Sequence, residues 1–293
     1  MSDISNAGYD VGVYTNKRYV ANNMKNVISN YEENVNRTCK VGSLFALMTQ
    51  CSRYKMAPLA VKPYYAYDTT DVAQLVVNDR IVNIENDIPF YNRLMEKGIS
   101  VSDNKKSEGT YRFIHMHGGH PPYTMTDEFQ YVAYDYRHDD GYGVSGVSQW
   151  RGAMKIVYEY MRQLKELGKY DDALIIITTD HGITSDLSDS EGNMIDISYP
   201  ILFVKQPYEI HEKMVESDAP VCHTDVIATI RKAIGVDSVD RALDEIGSGE
   251  ERMRHMMVST DDILEKYEVD GDVRLIENWH LIYKLEKDLE STH

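Results

Sequence analysis

Ten residues constrain this chain more than any others: Ala173-Leu174-Ile175-Ile176-Ile177-Thr178-Thr179-Asp180-His181-Gly182. A short all-apolar run with three consecutive isoleucines predicts a strand buried on both faces of a sheet. It ends abruptly in a carboxylate, an imidazole and a glycine. In open α/β sheets, ligands bind beyond the carboxyl ends of the strands, which is where Asp180 and His181 fall. Asp and His suit a divalent metal, and Gly182 lets the backbone turn tightly beneath them. Alone, the tripeptide fits an Asx turn with a surface His better than it fits a site. Its context reverses that preference.

Before the strand, Ser148 to Leu167 carries apolar residues at Trp150, Ala153, Val157, Met161, Leu164 and Leu167, near helical spacing. Gly168 supplies the stop, and Lys165 suits the last turn. Helix, polar turn (Lys169 to Asp172), apolar strand and ligand loop make half of a βαβ layer arrangement. Further upstream, Tyr111 to Tyr123 begins as a second strand candidate. It runs into a loop holding His115, His117 and His120, three of the ten histidines in the chain. One His is usually a satisfied core or surface residue. Three flanking Gly118-Gly119 and preceding Pro121-Pro122 point to a site.

The order of these motifs resembles the sulfatase-like branch of the alkaline phosphatase superfamily. The similarity is greatest to bacterial membrane-anchored members such as lipoteichoic acid synthases and phosphoethanolamine transferases. Two flanking segments agree. Gly8-Tyr9 introducing an apolar run resembles the strand that follows the family's nucleophile region, and His223 to Ile230 resembles a late helix, with Ala228 where the family often has Pro. The likeness spans roughly residues 6 to 235. It implies an α/β fold, an alkaline-phosphatase-like three-layer sandwich with a mostly parallel central sheet. Residues 1–235 would form the C-terminal portion of a catalytic domain, and 236–293 a charged extension that Trp279 helps to pack onto it.

One departure matters more than any match. In that family a strand ending in an acidic metal ligand, then a helix opening on a Thr, Ser or modified Cys nucleophile, precede the Gly-Tyr strand. Here that strand begins at residue 8, so the expectation is that the N-terminal strand and nucleophile segment are absent. Cys51-Ser52-Arg53 lacks the Cys-x-Pro-x-Arg spacing and follows the Gly-Tyr strand; it reads as structural.

The resemblance implies one divalent metal, Zn²⁺ or Mn²⁺ first, with Ca²⁺ or Mg²⁺ also compatible, held in part by Asp180 and His181. Its substrate class is a phosphate or sulfate ester, with a cell-envelope compound expected. His120, with His117 and His115, would face the leaving group or bind substrate oxygens, an imidazole serving as general acid near neutral pH. Two-metal relatives carry another His soon after Asp-His-Gly; Ile183 to Tyr199 has none, which favours one metal. His223 reads equally as ligand, ligand-orienting group or structural residue. Full-length relatives are membrane-anchored with an extracytoplasmic domain, but this sequence does not decide compartment.

Composition bounds the rest. At 293 residues and 42% hydrophobic content, one large α/β domain can bury a sizeable core. No apolar run approaches the roughly 18–20 residues of a membrane span. A net charge of −16 opposes nucleic acid and anionic membrane surfaces. Cys39, Cys51 and Cys222 form neither a metal-spaced pair nor a disulfide framework. Other expected elements are helices over much of 17–60, a short helix from Asp87 to Lys97, a mobile loop at 126–147, a buried strand from Pro200 to Val204 and a helix from Asp225 to Ile234. Three functions fit: an inactive fragment of a metal-dependent hydrolase or phospho-/sulfo-group transferase, a non-catalytic metal- or ligand-binding module of the same fold, or a metal-free interaction protein. The fragment reading expects self-association and a stabilising response to the absent N-terminal segment.

Overall fold

The computed structural model describes residues 1–15, 24–30, 41–66, 87–101, 107–132, 144–182, 200–259, 263–273 and 275–286. Helices and strands are mixed, so the chain is broadly α/β. It divides into two compact units, one of Met1 and Gly8–Leu164, the other of Ser2–Ala7 and Lys165–His293.

In the first unit, strand β1 (Tyr9–Tyr14) pairs in parallel with β2 (Gly109–Ile114), Tyr9 opposite Gly109 and Tyr14 opposite Ile114. Both strands expected from the sequence are present. Arg112 crosses this pair: its guanidinium donates to the Asp10 carboxylate at 2.7 Å and to the Asp10 carbonyl at 2.9 Å. This unit also holds helices α2 (Val41–Met56), α3 (Ile88–Lys97) and most of α4 (Gly146–Glu166), while α1 (Ser2–Asn6) belongs to the second unit. Asp87 and Gly98 bound α3 as the sequence predicts, with Gly98 at φ +64° closing it through an amide bond to the Leu94 carbonyl.

Helix α4 organises this unit through one face. Ala153 and Ile156 are buried there, together with two amides about four turns apart, Gln149 and Gln163. Gln163 caps the end of α3, donating to the Leu94 carbonyl at 3.1 Å and accepting from the Ile99 amide at 2.8 Å. A buried glutamine is stable only when both ends of its amide are satisfied, so these bonds explain its position.

In the second unit, β3 (Ile175–Thr178) pairs with β4 (Leu202–Lys205) in antiparallel register. The three isoleucines are half-buried, less than their run predicts, because among the described residues β3 has only one neighbouring strand. Lys205 locks the turn before β3, donating to the carbonyls of Asp171, Ala173 and Gln206 at 3.0–3.1 Å. Helix α5 (His223–Ala233) follows, ending before Gly235 at φ +71°.

Residues beyond 236 form more than a charged tail. Strands β5 (Met253–Ser259), β6 (Ile263–Asp270) and β7 (Trp279–Glu286) make an antiparallel meander, with a bulge between Lys266 and Tyr267. Trp279 packs edge-on against Tyr267 within this sheet and donates to the Val273 carbonyl at 3.0 Å. The link to α5 is Arg252, whose guanidinium binds Asp225 at 2.6 and 2.8 Å. These residues lie in the same compact unit as 165–235. Cys39, half of the expected 126–147 loop (133–143) and Ile183 to Tyr199 lie outside the described residues.

Candidate functional site

The end of β3 is pinned before the ligand loop begins. Thr178 donates its hydroxyl to the Ile201 carbonyl at 2.8 Å, and the Thr179 hydroxyl accepts from the Ile201 amide at 3.2 Å. Asp180 then leaves the sheet with its side chain 84% exposed. Its Oδ1 accepts from the amide of the next residue, His181, at 3.0 Å.

The His181 ring is oriented by its own backbone. Nδ1 lies 2.5 Å from the Gly182 carbonyl oxygen. A carbonyl has no proton to give, so Nδ1 carries the hydrogen and Nε2 of the neutral ring holds the lone pair. That Nε2 stands 3.8 Å from Asp180 Oδ2. Two donors on one tetrahedral Zn²⁺, each at about 2.0–2.1 Å, are roughly 3.3 Å apart, so a small closure lets the pair share an ion. A backbone carbonyl behind the non-ligating nitrogen is also the usual orienting partner of a metal-binding imidazole. The two residues therefore fit a divalent metal as a partial ligand set. Among the described residues no three His, Cys, Asp or Glu side chains converge into a fuller one.

His223, the first residue of α5, comes to the same place. Its Nε2 donates to the Thr179 carbonyl at 2.9 Å, one residue before Asp180. This holds the helix start against the strand end and leaves Nδ1 with the lone pair, an arrangement suited to positioning the turn. The helix start is itself built around Asp225. That carboxylate is fully buried and accepts from the Cys222 amide at 2.7 Å as well as from Arg252. Burial pushes its carboxyl up, but the Arg252 guanidinium and the Cys222 groups outweigh burial and hold it below the ordinary range. Sequence reading missed Asp225 and Arg252. An acidic residue three positions into a helix was the available signal for the first; nothing local announces the second.

The histidine loop belongs to the first unit. His115 extends the β2 pairing through its amide to the Tyr14 carbonyl at 2.8 Å, and its Nδ1 meets the Thr15 hydroxyl at 2.9 Å. Its ring is exposed at the end of the sheet. His117 and Gly118 are held by the buried carboxylate of Asp87, which accepts their two amides at 2.8 and 2.9 Å. Asp87 thus spends its side chain on the loop instead of capping α3. Gln149 completes the support. Its oxygen accepts the Thr124 and Met125 amides at 2.8 and 3.2 Å, and its nitrogen donates to the carbonyls of Gly118 and His120 at 2.9 and 3.0 Å. Gly118 at φ +60° takes the left-handed turn, and a Cβ on Gly119 would fall inside the Trp150 indole.

His117 and His120 are brought together, their ring centroids 5.3 Å apart. They differ in environment. His117 Nε2 is buried with no hydrogen-bond partner, and desolvation lowers the ring's pKa despite the nearby Asp87 charge. His120 is exposed, its Nδ1 donating to the Pro121 carbonyl. That tautomer leaves Nε2 facing outward, able to take a proton when neutral and to donate one when charged. His115 is held on a separate contact, with Thr15.

No family model matches this chain, and no curated protein matches it. Its chemistry is therefore read from its own residues. Cys51 lies half-buried inside α2, far from that helix's first turn, which agrees with a structural role for Cys51-Ser52-Arg53.

Proposed function

We propose that this chain is part of a sulfatase-like domain of the alkaline phosphatase superfamily, a three-layer α/β sandwich, that binds one divalent metal through Asp180 and His181 and acts on phosphate or sulfate esters. The observation that carries the reading is the contact of His181 Nδ1 with the Gly182 carbonyl, which leaves Nε2 beside the Asp180 carboxylate as a second donor. The order of motifs along the sequence supports the same assignment.

A metal held by Asp180 and His181 would neutralise charge on an ester's nonbridging oxygens and lower the pKa of an attacking group. His223 fixes the strand end from which Asp180 projects. In the first unit, the role that the resemblance gives His120 is proton transfer at Nε2. His117, kept neutral by burial, suits a hydrogen bond to an ester oxygen better than a charge contact. The chain carries no recognisable nucleophile motif, so the expected state is weak metal binding without turnover.

Titration calorimetry with Zn²⁺ or Mn²⁺ tests the metal. The chain should bind, and the double variant Asp180→Ala, His181→Ala should lose the signal; identical isotherms refute the site. Nitrophenyl phosphate and sulfate test the chemistry. Hydrolysis abolished by His181→Ala would place a nucleophile within these residues and overturn the inactive state.

A further inference from the structure

The whole-chain charge hides a segregated one. From Asn34 to Tyr67 there is no Asp or Glu, while Arg37, Lys40, Arg53, Lys55 and Lys62 supply five positive charges in a chain of net −16. The described part of this stretch is α2 and the 3₁₀ turn Leu59–Tyr65 that packs against it.

The two faces of helix α2 differ in burial. Ser43, Leu47, Gln50, Cys51 and Tyr54 recur at helical spacing and are half-buried. They lie toward the 3₁₀ turn: Gln50 donates to the Ala66 carbonyl at 2.8 Å, and the Lys62 ammonium stands 5.2 Å from the Tyr54 ring. The opposite face carries Leu44, Phe45, Met48, Ser52, Lys55 and Met56, all exposed, with Phe45 at 73%. On the 3₁₀ turn, Leu59 and Tyr64 are also solvent-facing, each 84% exposed. Arg53, Lys55 and Lys62 have no carboxylate partner among the described residues.

We propose that this helix and turn form a docking surface for an anionic lipid bilayer. Large apolar side chains interleaved with cations, and no acidic residue, are what an interfacial helix needs: the apolar groups enter the headgroup–acyl boundary while Lys and Arg reach up to phosphates. Charge complementarity is local, since the acidic remainder of the chain opposes any other face approaching the same surface. A nucleic acid offers the charge but no apolar layer for Phe45, Met48 and Met56. The surface is independent of the histidine loop and of Asp180, so its test neither needs nor judges the metal reading.

The experiment is co-sedimentation of the full chain with vesicles of phosphatidylglycerol and phosphatidylcholine, against phosphatidylcholine alone. Binding is expected on the anionic vesicles, weakening about fivefold for each cation neutralised, in the pair Arg53→Gln, Lys55→Gln. Phe45→Asp, Met48→Asp should weaken it at least tenfold with unchanged circular dichroism. Hydrogen exchange of the unaltered chain supplies a readout free of any folding defect: amides of 41–65 should slow when anionic vesicles are added, and those of 253–286 should not. Equal binding to both lipids, no binding at about 1 mM lipid, an oligomer in lipid-free solution that Phe45→Asp dissociates, or tighter binding to a single-stranded oligonucleotide than to vesicles would each overturn the proposal.

Discussion

Replacing Gln149 by Leu should cost this protein about 2–7 kcal/mol of folding stability, and the cost can be traced bond by bond. Leu fills nearly the same volume, so no large cavity is left. What is lost is one acceptor shared by two amides and one donor shared by two carbonyls. Thr124 and Met125 have no exposed surface, so their amides are left without water or any other partner. Each orphaned buried donor costs roughly 1–3 kcal/mol. The carbonyls of Gly118 and His120 are nearer solvent and can be rehydrated, adding at most about 0.5 kcal/mol each. Urea unfolding of the wild-type and variant chains measures the total. Hydrogen exchange at Thr124 and Met125, faster in the variant even in the native baseline, locates it. A stability change under about 1 kcal/mol, or unchanged exchange at these two amides, would refute the view that one glutamine holds the histidine loop.

Other outcomes follow from the same contacts. Burial lowers the His117 pKa below the free value of about 6.5, so its contribution to stability is full above that pH and is lost as pH falls toward its folded pKa; unfolding free energy should fall more between pH 7.5 and 5 in the wild type than in His117→Gln. The midpoint of the His117 ring in an NMR titration should also lie below that free value. Arg252→Met strands a fully buried Asp225 carboxylate and should cost about 3–5 kcal/mol near neutral pH, seen as a shift of the denaturation midpoint. Gly119→Ala drives a methyl into the Trp150 ring and should destabilise by about 1–3 kcal/mol, with Gly119→Ala, Trp150→Ala together losing less than the sum of the two single changes.

Much of the local structure was legible in the chain itself. The isoleucine strand, helices α3, α4 and α5, and β1 after Gly8 each carry a signal contained within a few residues: an apolar period or a closing Gly. That Asp180 and His181 follow a strand end could be read for the same reason, since an apolar run stopping at polar residues is a local pattern. The tail sheet could not. Its strands mix Glu, Lys and His with apolar residues, and the bulge at Lys266 breaks the alternation that would reveal β6 and β7. Nor could net charge disclose the acid-free stretch around α2, because a sum discards position. What only the tertiary structure decided is which distant groups meet. Asp87 reaches thirty residues forward to the loop at His117 and Gly118, Gln149 ties four backbone groups from helix α4, and Arg252 closes on Asp225. These are single polar side chains in otherwise ordinary segments. Their partners are chosen by the need to satisfy buried amides, carbonyls and carboxylates once the apolar faces have packed, and that need exists only after the chain has folded.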